Sequence, residues 1–150
     1  MTQSKIVFIT GATSAIGSAV ASAFCSHGAK VFLTGRSERK IANAARKLPR
    51  AKLAGTALGD LESLPDVERL VDEIPQHLPH IDVLVHAAGL YSWTELGDPA
   101  TEEFEKLFAV NVRAPYMLTQ GLLPLLERGK GQVFFLNSSV VNTPDRKSVV

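Results

Sequence analysis

Four consecutive apolar residues, Ile6-Val7-Phe8-Ile9, run into a turn of small residues, Thr10-Gly11-Ala12-Thr13-Ser14-Ala15-Ile16-Gly17, and a helical pattern begins directly behind it. An apolar run without alternation suits a strand covered on both faces, as in a parallel sheet sandwiched between helices. Backbone N–H groups at a helix start, together with the helix dipole, attract anions, and glycines let a ligand come close to the chain. The segment therefore predicts a strand-turn-helix unit whose turn is suited to the pyrophosphate of a dinucleotide. A phosphate-binding P-loop needs Lys and then Ser or Thr after its last glycine. Here Ser18-Ala19 follow Gly17, so that reading fails.

The rest of the chain alternates short apolar runs with stretches of helical period, the pattern of β and α units on a parallel sheet. Helix one starts near Ser14, with Ile16, Val20, Ala23 and Phe24 on one face and His27-Gly28 as its stop. Strand two covers Lys30 to Thr34. Helix two is capped by Ser37, carries Ile41, Ala44, Ala45 and Leu48 inward, and ends at Pro49. Strand three falls within Lys52 to Leu58, with Gly55 inside it. Val67, Leu70, Val71 and Ile74 mark helix three, stopped by Pro75. Ile81 to His86 reads as strand four, Thr101 as the cap of a long helix carrying Phe104, Leu107 and Phe108, and Val133 to Leu136 as strand five. No linker or repeat interrupts the pattern, so residues 1–150 read as a single domain.

Composition narrows the function. With 16 Lys and Arg against 15 Asp and Glu, the net charge is +1, without the basic run that a nucleic acid or an anionic membrane surface would select. The apolar start is too short for a secretory or membrane segment. Cys25 is the one cysteine, which excludes an internal disulfide and predicts a reducing, cytoplasmic location. His77 and His80 lack a carboxylate or thiolate partner in the motif, so no metal site is expected.

These loops together resemble those of the short-chain dehydrogenase/reductase family, along the whole chain and in order. The family's Thr-Gly-x-x-x-Gly-x-Gly is similar to Thr10 to Gly17, with Ala15 in place of the middle glycine. Its Asp after the third strand is matched by Asp60, its Asn-Asn-Ala-Gly by His86-Ala87-Ala88-Gly89, its helix Asn by Asn111 and its catalytic Ser by Ser139. The resemblance implies an α/β fold: a doubly wound Rossmann-type parallel sheet of strand order 3-2-1-4-5, truncated before the family's last strands. It implies cofactor contacts at Gly11, Thr13, Ser14, Ala15, Ile16, Gly17, Arg36, Asp60, Leu61, Ala87, Ala88 and Gly89, with Asp60 holding the adenine edge. Ser139 and Asn111 are the implied catalytic residues, and the implied reaction is hydride transfer between nicotinamide and a carbonyl or alcohol substrate. A homo-oligomer, dimer or tetramer, is also implied.

Two residues carry a physical reading beside the resemblance. NAD enzymes of this kind place an acid at the end of strand two for the ribose hydroxyls, whereas a 2′-phosphate requires that acid to be gone and a cation nearby. Gly35-Arg36 stand there, which favours NADP(H) over NAD(H), with Glu38 and Arg39 close enough to alter the field; the missing acid also argues against a methyltransferase of similar architecture. Pro115 cannot donate a backbone hydrogen bond, so it frees the carbonyl four residues earlier, that of Asn111. The resemblance implies that this backbone holds a water in a proton relay.

Ser139 is favoured over its neighbour Ser138 by register, and would donate to substrate oxygen where negative charge develops. Asn137-Ser138-Ser139 also fits a glycosylation sequon, at a strand end where that modification is not expected. The family's acid/base is a Tyr followed four residues later by a Lys, on one helix face. Tyr91 and Tyr116 are followed at that spacing by Glu95 and Gln120, and the family position lies just past Val150. The sequence is therefore expected to be the front part of a longer reductase; the alternative is a dinucleotide-binding module without catalysis.

Overall fold

The computed structural model describes residues 4–92 and 101–138. Five parallel strands, β1 (Ile6–Thr10), β2 (Lys30–Gly35), β3 (Leu53–Leu58), β4 (Val83–His86) and β5 (Gln132–Phe135), form one sheet in the order β3-β2-β1-β4-β5. This is the order expected. Helices α1 (Ala15–Ser26) and α2 (Glu38–Arg46) cover one face, while α3 (Leu64–His77) and α5 (Ala114–Gly121) cover the other; α4 (Thr101–Phe108) leads into α5 and α6 (Leu123–Gly129) follows it. Alternate strand residues divide between two cores. Phe8, Phe32 and Leu84 pack with Leu70, Ile74 and Leu118, and Val7, Ile9, Leu33 and Val85 pack with Ala21 and Cys25. The central strands are apolar on both sides because both sides are buried.

Local signals hold at the caps. Ser14 and Ser37 accept from the amides of Gly17 and Lys40, at 3.0 and 3.4 Å, and start α1 and α2. Gly28 takes φ +88° just past the end of α1. α4 is described from Thr101 onward, and the residues before it, where its cap would be tested, lie outside the described ones.

Two local expectations are corrected, and a third gains a detail. The face of α1 turned to the sheet is Gly17, Ala21 and Cys25, while Ile16 is 64% exposed. Small residues let the helix axis approach the sheet, and Val20 and Phe24 pack at the flanks. Pro75 lies inside α3 rather than ending it. It is exposed one turn from the end, and Leu78, buried at 3%, anchors the last turn with its amide donating to the Ile74 carbonyl at 3.1 Å. β3 does run through Gly55, but with a bulge. Val31 pairs with Leu53 and Phe32 with Gly55, so Ala54 is extra. A Cβ on Gly55 would stand 2.6 Å from the Phe32 ring, so the ring takes the space that a side chain would fill.

The interruption expected at Asn111 takes the form of a π turn, Ala109–Arg113, in which the Ala114 amide donates to the carbonyl five residues back, that of Ala109. Core residues of this stretch are Ala109, Val110, Ala114 and Leu118, while Phe104 and Phe108 are exposed and stack on each other with centroids 6.3 Å apart. Among the described residues β5 is an edge strand, and Phe134, Phe135 and Leu136 are about half exposed. No described helix is long and apolar enough to cross a membrane.

Candidate cofactor site

The carboxyl ends of β1, β2, β3 and β4 open onto one cleft, lined by Gly11, Thr13, Ser14, Thr34, Gly35, Arg36, Gly59, Asp60, Leu61, Ala87, Ala88, Gly89, Leu90 and Val110. It lies where the strand order reverses, between β1 and its two neighbours, which is where open α/β sheets bind ligands. Of the residues expected to hold a cofactor, nine line the cleft, Gly11, Thr13, Ser14, Arg36, Asp60, Leu61, Ala87, Ala88 and Gly89, while Ala15, Ile16 and Gly17 form the adjoining helix start.

The turn after β1 is held from within. The Ser14 amide donates to the Gly11 carbonyl at 3.0 Å, and the Ala12 amide donates to the Thr34 carbonyl of β2 at 3.3 Å. Gly11 has φ +64°, and a Cβ there would lie 2.5 Å from the backbone of Ala88. The first and fourth strand-end loops therefore touch, with glycine as the residue that permits it. The Ser14 hydroxyl takes the Gly17 amide, and the first amides of a helix, here those of Ala15 and Ile16, have no intrahelical acceptor. The first turn of α1 carries no acidic side chain, so its partial positive charge is uncompensated by the helix itself.

The other loops supply charge and support. Arg36 is exposed on the rim and makes no hydrogen bond or ion pair with the described residues. Across the cleft, the Asp60 carboxylate accepts from the Glu62 amide at 3.1 Å, and the Asp60 amide donates to Asp66 at 2.8 Å, which holds the Asp66 carboxyl below its usual range. On the β4 side, the Ala88 amide donates to the Thr10 hydroxyl at 3.3 Å. Asn111 lies next to the cleft and does not line it: its carboxamide accepts from the Leu90 amide and donates to the Leu90 carbonyl, both at 2.9 Å. The Arg113 guanidinium donates to the Glu62 carbonyl at 2.6 Å and so ties the π turn to the loop of Asp60. Ser139 lies outside the described residues.

Sequence reading missed Thr34, Gly59, Leu90 and Val110. Thr34 and Gly59 sit at or just past strand ends, a position that could have marked them. Leu90 and Val110 carry no such mark, because the fold alone brings them together. The cleft fits a dinucleotide: it runs across the ends of four strands, the exposed Arg36 stands at one rim, and amides of a helix start adjoin it.

Fold and cleft define the Rossmann-type α/β class. The model of the short chain dehydrogenase family matches residues 5–149, and the chain belongs to that family. It is 38% identical over 141 residues to the glucose 1-dehydrogenase of Gluconobacter oxydans, covering 91% of this chain and 52% of that protein. It is similar to the alcohol dehydrogenase of the archaeon Thermococcus sibiricus solved with 5-hydroxy-NADP, with a TM-score of 0.87 and 26% identity over 95% of this chain and 62% of that one. A metagenomic short-chain oxidoreductase solved with NADP superposes with a TM-score of 0.79 and 29% identity, covering 89% of this chain and 62% of that one. The chain thus spans between half and two thirds of the length of these relatives.

Proposed function

We propose that this chain forms the cofactor-binding part of an NADP(H)-dependent oxidoreductase acting on a small carbonyl or alcohol substrate. The observation that carries the reading is the cleft itself, which joins an uncompensated helix start and a free Arg36 in the place where an NAD enzyme would hold an acid. The NADP-bound relatives support it. When bound, the nicotinamide cofactor supplies the hydride. The chain's own residues orient it. The amides of Ala15 and Ile16 would receive the pyrophosphate, Arg36 the 2′-phosphate, and Asp60 the adenine edge, with Leu61 beside it.

Ala87, Ala88 and Gly89 would form the wall toward the nicotinamide. Ser139 would donate to the substrate oxygen, and Asn111 would hold the Leu90 loop and the water-binding backbone of the relay. The proton-transferring Tyr and Lys of the family have no match among residues 1–150. Titration with NADPH and NADH, followed by cofactor fluorescence, tests the reading. Tighter binding of NADPH, lost on Arg36→Ala, is the expected result; failure to bind either cofactor overturns it.

A further inference from the structure

The loop after β4 is fastened to the same helical stretch at two places. At one end, the Asn111 carboxamide holds both backbone groups of Leu90. At the other, the ring of His86 reaches α5, with Nε2 at 2.9 Å from the Thr119 hydroxyl. Thr119 lies eight residues after Asn111 along that stretch. Between the two fastenings lie Ala87, Ala88 and Gly89, the residues that wall the cleft.

His86 is built into this place. It is 3% exposed, its ring stacks on Phe135 at 5.0 Å, and its carbonyl accepts from the Leu136 amide at 3.0 Å. Its Nδ1 is buried without a hydrogen-bond partner among the described residues. A buried bare lone pair is less costly than a buried N–H without an acceptor. The proton of the neutral ring therefore sits on Nε2, which donates to Thr119. Thr10 of β1, Phe135 of β5 and Thr119 of α5 surround it, and the one ionisable side chain on those three elements is the exposed Tyr116. Among the described residues nothing in that shell compensates a charged ring.

We infer that His86 is a positioning residue for dinucleotide binding: its neutral ring, donating to Thr119, is a second clasp that holds the Ala87–Gly89 wall against the cleft. Protonation would add a buried N–H with no acceptor and a charge with no counterion, so the clasp holds only while the ring is neutral. The inference rests on the cofactor reading above.

The test measures NADPH affinity by fluorescence on the full chain for wild type, Thr119→Val, Thr119→Ser, His86→Phe and the double variant His86→Phe/Thr119→Val, with melting temperatures alongside. Removal of one hydrogen-bonding partner is expected to weaken binding about five- to tenfold. The double variant should bind no more weakly than the weaker single variant, since both changes open one clasp. Thr119→Ser, which keeps the hydroxyl, should restore the affinity. Ring nitrogen NMR should show a neutral ring with its proton on Nε2. Wild-type affinity in Thr119→Val, even with a lowered melting temperature, would reduce the pair to a packing role and overturn the inference. That variant keeps the test open if His86→Phe does not fold. A wild-type protein that binds neither cofactor overturns the cofactor reading and this one with it, which is a distinct result.

Discussion

Gly11 and Gly28 both hold left-handed backbone, at φ +64° and +88°, but their surroundings differ. An alanine Cβ at position 28 would meet only the tip of Lys52, at 3.9 Å, whereas at position 11 it would stand 2.5 Å from the Cα and N of Ala88 and 2.8 Å from the carbonyl carbon of Ala87. Left-handed backbone costs a non-glycine residue about 1–2 kcal/mol, partly offset because alanine also restricts the unfolded chain. Gly28→Ala should therefore cost about 1 kcal/mol. Gly11→Ala carries the same term and must also push the Ala87–Ala88 backbone outward by about 1 Å, an overpacking cost of about 1–3 kcal/mol. The sum is about 2–4 kcal/mol. Urea denaturation with a common m-value reads the difference directly. NADPH titration reads its functional side, since the displaced loop walls the cleft: Gly11→Ala should abolish binding and Gly28→Ala should leave it intact. Equal costs at the two positions would show that the loop gives way freely, and would refute the rigid contact between the strand-end loops.

Other outcomes follow from the charges. Arg36→Asp should reverse the cofactor preference, weakening NADPH by at least about tenfold while sparing NADH, because an acid there repels a phosphate and accepts from ribose hydroxyls; unchanged ratios of dissociation constants would remove Arg36 from the site. Burial lowers the His86 pKa from 6.5 to about 4, so between those values the unfolded state binds more protons than the folded one. Stability should thus be full above about pH 6.5 and fall by roughly 3 kcal/mol as pH drops toward 4. Urea midpoints across that range should show the slope in wild type and a flatter one in His86→Asn. Asp66 behaves in the opposite sense. Its lowered pKa contributes stability above the usual value of 3.8 that is lost as pH falls through the lowered one; the side chain is 35% exposed, so water screens the gain, and Asp66→Asn should cost only about 0.5 kcal/mol at pH 7, with the gap closing in acid.

How much of this was legible beforehand depended on whether the responsible contacts are local. The run Ile6–Ile9, the turn to Gly17, the Ser14 and Ser37 caps and the glycine after His27 act within a few residues, so spacing and residue type revealed the strands, the helix starts and the strand order that follows from alternation and the family pattern. Arg36 and Asp60 stand at strand ends for the same reason, and the fold carries both to one cleft. The choice of Gly17, Ala21 and Cys25 as the buried face of α1 was not legible, because hydrophobicity pointed to Ile16 and only the closeness of the sheet selects small residues. The reason for Gly55 inside β3 lies in the fold alone, where the Phe32 ring occupies the space of the missing side chain. The clasps on either side of Ala87–Gly89 join residues 21 and 33 positions apart, Leu90 to Asn111 and His86 to Thr119. Sequence periodicity describes which face of each element is apolar; it has no term for where two elements meet, and that distance was decided only when the helix packed across the end of β4.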